Sequence, residues 1–294
     1  MINMKSGDMK KPTVRIIIMF TLVIFILLAG FSGCSSAPKR PAEDFTIRNM
    51  ASNQLNFAEK AANQGRFEDA LLFLDEARRL TLSTDDPALR IRTSICNGNY
   101  LFSLGRETEA FQSLEAAAAE ADASGQGNLA ALARIYAIRA KLVLLSNTGK
   151  DADAAAQELK TRLVKEQAAI KSDPLTSAAG HVTMGFAERQ LRRWAEAESA
   201  VKQGLEIHEK NRYLEDAAYD WFLIASIRSQ AGNYSAALEA LNKAIHFDRR
   251  AENGFGLASS WQAMGDVYKK AGKAEESQKA YNRAAEIFEA IGKQ

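Results

Sequence analysis

The sequence predicts an all-α protein: a right-handed solenoid of about six helix-turn-helix repeats with a period of about 40 residues, after an N-terminal targeting segment. Three observations predict this fold. Apolar residues recur every three or four positions, no stretch alternates apolar and polar residues over the length of a strand, and candidate turn positions recur at a nearly constant spacing. With 47% hydrophobic and 25% charged residues, the composition excludes a collagen-like or largely disordered chain.

The N-terminal segment has the pattern of a secretory signal. The basic residues Lys5, Lys10, Lys11 and Arg15 precede a run of 15 mostly apolar residues, 16–30, and small residues follow. A membrane-spanning helix needs about 20 apolar residues. Residues 14–33 number 20, so an uncleaved anchor remains an alternative on length alone.

The end of this segment, Phe31-Ser32-Gly33-Cys34, resembles the lipobox of bacterial lipoproteins, although Phe31 stands where leucine is usual. The resemblance implies that residues 1–33 are cleaved as a lipoprotein signal peptide and that Cys34 carries a covalent lipid. Residues 34–46 then form a tether, stiffened by two prolines. Because Ser35 follows the cysteine where aspartate would retain the protein in the inner membrane, the resemblance favours the outer membrane, facing the periplasm. A plain signal peptide is the alternative.

From residue 47 onward the pattern is helical and repetitive. Pro87 and Pro174 each follow an aspartate, and Asp-Pro is a helix-start signal because proline lacks a donor that would be unsatisfied there anyway. Six candidate turns are separated by 40, 44, 43, 40 and 40 residues, namely Gly65, Gly105, Gly149, Arg192, Gly232 and Gly272. A period of this size is typical of a solenoid over residues 47–294, in which each repeat packs only on its neighbours.

These repeats resemble the tetratricopeptide repeat (TPR). In the last repeat, Trp261, Met264, Gly265 and Tyr268 fall on the W-x2-L-G-x2-Y pattern of that family. The resemblance implies small residues at the eighth and twentieth positions of each repeat, where two helices approach closely, and bulky residues between them. The departure is length, because a typical repeat has about 34 residues.

Charge and motifs argue against an enzyme or a nucleic-acid-binding protein. Residues 1–33 hold four basic and one acidic side chain, so the remaining chain has 34 basic and 35 acidic ones. The sequence contains no P-loop, no G-x-S-x-G and no second histidine for a zinc helix after His208-Glu209. We therefore expect no catalytic residue, no metal site and no cofactor apart from the lipid on Cys34. Cys96 is expected to be a buried, unpaired thiol.

The TPR resemblance implies that the concave surface, formed by the first helix of each repeat, holds the partner. Arginines and aromatic residues alternate on that surface, a combination that suits a peptide with an acidic group. The candidate partner-binding residues are Arg92, Asn99, Tyr136, Arg139, Phe186, Arg189, Tyr219 and Phe222.

Two functions from different classes follow from these expectations. The first is a non-catalytic, envelope-anchored scaffold or adaptor that binds protein partners through the TPR groove, as in envelope biogenesis, secretion or pilus assembly, or the recruitment of cell-wall enzymes. The alternative is a periplasmic ligand-binding or transporter-associated lipoprotein. A closed apolar cavity would favour the alternative, and an open groove would favour protein partners. Self-association through the helical flanks is a further possibility.

Overall fold

A computed structural model describes residues 46–146, 152–170 and 173–292. These residues form twelve helices and no strand. The helices are α1 (Ile47–Asn63), α2 (Phe67–Ser83), α3 (Pro87–Ser103), α4 (Glu107–Ala123), α5 (Gly127–Ser146), α6 (Ala152–Ala169), α7 (Pro174–Gln190), α8 (Trp194–Asn211), α9 (Leu214–Gln230), α10 (Tyr234–Ala251), α11 (Gly254–Lys270) and α12 (Ala274–Gly292). The predicted signal peptide, Cys34 and all but the last residue of the tether lie outside the described residues.

Helices that follow one another in the chain pack against one another, and odd-numbered helices also contact across repeats, as α3 contacts α5 and α5 contacts α7. The pairs α1–α2, α3–α4, α5–α6, α7–α8, α9–α10 and α11–α12 are the six predicted repeats. The prediction of an all-α repeat fold is therefore confirmed for the described part of the chain.

Local turn chemistry places the helix ends where the sequence predicts them. Five of the six predicted turn residues have positive φ, from 57° to 82°, namely Gly65, Gly105, Arg192, Gly232 and Gly272. The sixth, Gly149, lies outside the described residues. Asp86 and Asp173 cap α3 and α7 as expected, each accepting a hydrogen bond from a backbone N–H three residues later, at 3.0 and 2.9 Å.

Small residues at the helix crossings set the distance between helices within a repeat. Ala70, Ala110, Ala197 and Ala237 occupy the twentieth repeat position and are fully buried. At the eighth position of the fourth repeat, a Cβ on Gly185 would lie 2.3 Å from the Val201 side chain. A larger residue there would push the helices apart, so the predicted role of these positions in packing is confirmed.

The first repeat also contacts the last one. The turn between α1 and α2 lies against the start of α11 and the end of α12, because a Cβ on Gly65 would lie 2.9 Å from the ring of Phe255 and 3.7 Å from Ile291. The rings of Phe67 and Phe255 meet edge to face, with centroids 4.9 Å apart. The solenoid of residues 46–292 thus turns back on itself and closes into a ring.

Candidate functional site

The closed ring surrounds a central cavity with a volume of about 460 Å³. Its walls come from the ends of α1 and α3, the middle of α5, the first half of α9 and the start of α11. Aromatic side chains and charged groups both face it. This size falls within the range of roughly 300–1,000 Å³ that is usual for small-ligand sites.

The candidate partner-binding residues divide into three groups. Five of them line the central cavity: Asn99, Tyr136, Arg139, Tyr219 and Phe222. Phe186 and Arg189 stand outside its lining, and Phe186 is only 5% exposed because it belongs to the hydrophobic core. Arg92 is exposed and does not line the cavity. Phe186 and Arg189 belong to α7 in the fourth repeat, which does not line this cavity, so a binding role for these two residues and for Arg92 stays a prediction.

Arg139 is held in the cavity wall by two aromatic rings and one amide. Its guanidinium lies 4.4 Å from the ring centroid of Tyr136 and 4.9 Å from that of Phe102. Its Nη2 donates to Oδ1 of Asn99 at 2.9 Å, whereas its buried Nε–H has no hydrogen-bond partner among the described residues. The geometry fixes a guanidinium that retains donor capacity.

A second arginine lies near the same wall. The guanidinium of Arg189 lies 4.9 Å from the ring of Phe186, and burial lowers the pKa of this arginine. Burial raises the pKa of Tyr219, and the positive charges of Arg139 and Arg189 oppose that shift. Tyr219 is therefore close to both arginines, and 38% of it is exposed because it faces the open cavity.

Carboxylates also form part of the cavity wall, and the sequence analysis did not single them out. Glu215 and Asp216 belong to the first turn of α9, and Asp248 lies near the end of α10. Burial raises the pKa of Glu215 and of Asp216, and it raises that of Asp248 to about 7. Acidic residues in the first turn of a helix are ordinarily solvated, so the sequence carried no signal for their burial here.

A buried histidine–aspartate pair lies between α8 and α9. Nδ1 of His208 lies 2.7 Å from Oδ2 of Asp220, and both side chains are at most 5% exposed. The equivalent contact between the fifth and sixth repeats involves Asp248, which lies 40 residues after His208. Asp248 accepts a hydrogen bond from Ser260 at 3.3 Å. Burial raises the pKa of Asp220 to about 6, although the hydrogen bond from His208 opposes this.

A second cavity, of about 690 Å³, lies beside His181, but the Asp173 carboxylate in its wall already caps α7. No cluster of three or more His, Cys, Asp or Glu side chains in the described ranges could hold a metal ion. None of the helices in that part of the chain combines the length and apolar character needed to cross a bilayer.

Cys96 is half-buried rather than fully buried, and burial raises the pKa of its thiol to about 11.

Comparison with known proteins bears on the fold. The family model of the tetratricopeptide repeat matches residues 221–250 and 258–290, which are the last two repeats. A comparison with curated proteins finds no relative in sequence. Solved structures that are 12–15% identical to this chain show its fold alone, and that fold is a TPR-like solenoid.

Solved structures similar to this chain include the following three. The Rap conjugation gene regulator of plasmid pLS20, in complex with the Phr* peptide, has a TM-score of 0.60 at 15% identity over 85% of this chain and 65% of that chain. A Rap protein complexed with Competence and Sporulation Factor has a TM-score of 0.55 at 12% identity over 82% of this chain and 75% of that chain. A kinesin light chain from Podospora anserina with TPR-like repeats has a TM-score of 0.37 at 14% identity over 85% and 100%.

Proposed function

We propose that this protein is a non-catalytic scaffold of the bacterial cell envelope that holds a short segment of a protein partner in its central cavity. One observation carries the proposal: the ring encloses a cavity of peptide size whose wall presents Arg139, a fixed guanidinium with a buried N–H that lacks a partner. A cavity of about 460 Å³ is too small for a folded domain but admits an extended segment or a loop tip.

The aromatic lining supports a peptide as the occupant. Tyr136, Tyr219 and Phe222 offer flat surfaces on which a backbone or an apolar side chain can pack. The Rap regulator of similar fold holds a peptide, according to its description. Repeat solenoids present extended concave surfaces for binding, and this property supports the non-catalytic part of the proposal.

The anchor is part of the same proposal. A lipid on Cys34 would attach the protein to a membrane, and we place that membrane as the outer one, with the solenoid facing the periplasm. One acyl chain holds a protein only weakly, so the multiple acylation of lipoproteins suits a permanent attachment. Twelve residues would separate Cys34 from the start of α1, and they would form the tether.

Site-specific photo-crosslinking tests this function. A photo-reactive residue in place of Phe222, in the cavity wall, should give a crosslinked protein species in intact cells, whereas the same residue in place of the exposed Glu275 on α12 should not. Equal crosslinking from both positions, or none from Phe222, would contradict a partner segment in the cavity.

A second candidate function is favoured by ring closure itself. Because Phe67 and Phe255 join the two ends of the solenoid, the cavity is more enclosed than an open groove, as a periplasmic ligand-binding protein would need. The charged lining argues for a polar ligand. Mass spectrometry of the compound released on denaturing the native protein would distinguish this function, because a small molecule would appear in place of a crosslinked protein.

A further inference from the structure

We infer that the central cavity binds a zwitterion of the amino-acid type, either a free amino acid or a short peptide with both termini free. Its carboxylate would contact Arg139 and its ammonium group would contact Asp216. This inference rests on the second candidate function, a periplasmic ligand-binding protein, because a ligand with both termini free is not a segment of a partner chain.

The basic part of the site is preorganised for a carboxylate. Stacking on Tyr136 and Phe102 fixes the plane of the Arg139 guanidinium, and Asn99 occupies only one of its donors. No carboxylate of the described residues forms an ion pair with it. A guanidinium binds a carboxylate through two parallel hydrogen bonds, and the donors left on Arg139 allow one more strong contact.

The acidic part of the site has a free carboxylate. Within the described residues, Asp216 takes part in no ion pair and accepts no hydrogen bond from another side chain; its one hydrogen bond comes from its own backbone N–H. Its neighbour Glu215 is already engaged, because Asn63 donates to it at 2.6 Å. An ammonium group has three donors and suits such a carboxylate.

Arg139 and Asp216 line the same cavity. Burial raises the pKa of Asp216, and the charges of His208 and Arg139 oppose that shift. Arg139 and Asp216 do not form an ion pair, which means that their charged atoms are more than 4.0 Å apart. Tyr219, three residues after Asp216 on α9, lines the same cavity, and the charge of Arg139 also opposes the rise in its pKa.

Several partly buried arginines of the described residues pair with carboxylates, whereas Arg139 and Arg189 do not. Arg134 pairs with Asp122 and Glu166 at 2.8 Å, and Arg228 pairs with Glu198 at 2.8 Å. A partly buried charge without a counter-ion is costly. Two opposite charges that face the same cavity without meeting are both compensated when a zwitterion enters.

Equilibrium binding to the purified full chain in mild detergent tests the inference. The probes are the twenty free amino acids and a library of X-Ala-X tripeptides in four forms: free, N-acetylated, C-amidated and doubly capped. The variants are Arg139→Gln and Asp216→Asn, which remove one charge each. Arg249→Gln and Asp75→Asn are the controls, since both residues are exposed and lie outside the central cavity.

We expect free tripeptides or amino acids to bind, and we expect amidation of the C-terminus to weaken binding about tenfold, roughly the strength of one charge-assisted contact. Arg139→Gln should cause the same loss, and amidation should then have no further effect. Acetylation of the N-terminus should also weaken binding to the wild type about tenfold. Asp216→Asn should cause the same loss, and acetylation should then have no further effect on that variant. Binding of free amino acids would identify the smaller ligand, and binding of tripeptides alone would identify the peptide.

Two results would overturn the inference. One is that no probe binds the wild-type chain, and the other is that capping the termini changes binding equally in all variants. Neither result bears on the proposed function, because crosslinking of a partner segment at Phe222 does not depend on free termini. Conversely, probe binding without any crosslink at Phe222 would leave the zwitterion site standing and remove the scaffold.

Discussion

The side-chain amide of Asn63, at the end of the first helix, donates a 2.6 Å hydrogen bond to the carboxylate of Glu215, 152 residues later in the chain. Together with the contact between Phe67 and Phe255, this bond joins the first repeat to the last two. Repeat solenoids are ordinarily stabilised by neighbouring repeats alone. Here a long-range contact also converts a curved groove into an enclosed cavity.

Removal of the closing contact should destabilise the first repeat. We expect Phe255→Ala to lower the free energy of unfolding by about 1–3 kcal/mol, because the ring is half-buried against Phe67 and Phe288. Hydrogen exchange should accelerate in α1 and α2, since they lose their support from α11. Leu72→Ala, at a side chain that is 68% exposed, is the control and should leave both measurements unchanged. Unaltered exchange in Phe255→Ala would mean that the ring is open in solution.

Overpacking at a helix crossing should lower stability without altering the fold class. Ala237 is fully buried where α9 and α10 cross, so Ala237→Leu should cost about 1–3 kcal/mol. Thermal unfolding followed by circular dichroism measures this cost. Ala274→Leu, at an exposed position on α12, is the matched control. An unchanged melting temperature in Ala237→Leu would argue against the repeat register.

Stability should fall as the pH rises from about 4 to above 7. Burial raises the pKa of Asp248 from its ordinary value of 3.8 to about 7, so the folded state binds a proton in this range that the unfolded state has released. The resulting stabilisation is complete below the unfolded pKa and is lost as the pH rises through the folded one. Asp220, with a pKa of about 6, contributes in the same direction.

The variant Asp248→Asn should therefore flatten the pH dependence of the melting temperature between pH 5 and 8. Asparagine resembles the protonated aspartate and still accepts the hydrogen bond from Asn253. Asp75→Asn, at an exposed carboxylate, should retain the wild-type slope. Equal slopes in the two variants would show that Asp248 does not titrate in this range.

Acylation of the chain should depend on Cys34. Metabolic labelling with an alkyne fatty acid should label the wild type and should not label Cys34→Ala, because the thioether-linked lipid requires the thiol. The half-buried Cys96 serves as an internal control, since Cys96→Ala should leave labelling intact. If the wild type and Cys34→Ala are labelled equally, the lipoprotein prediction is wrong.

The sequence predicts those parts of the fold that depend on local chemistry. Gly65, Gly272 and the Asp86 cap act within a few residues of themselves, so spacing and residue type are enough to locate them. Ring closure is different, because it depends on small rotations that accumulate over six repeats. No local pattern shows that Phe67 and Phe255 will meet.

The candidate site was predicted in part for the same reason. The groove positions of α3, α5 and α9 follow from helical periodicity, and Asn99, Arg139 and Tyr219 do face the cavity. Asp216 was missed because an acid in the first turn of a helix is usually solvated. Asp216 faces the cavity because the ring closes around it.

Filling the cavity tests the central claim most directly. Ser259 lines the cavity on α11, whereas Ser235 is exposed at the start of α10, so Ser259→Trp should fill the site and Ser235→Trp should not. We predict that both variants keep the wild-type melting temperature, and that only Ser259→Trp loses the bound partner, measured as the yield of the crosslinked species formed at position 222. An undiminished yield with Ser259→Trp would show that the protein does not act through its cavity.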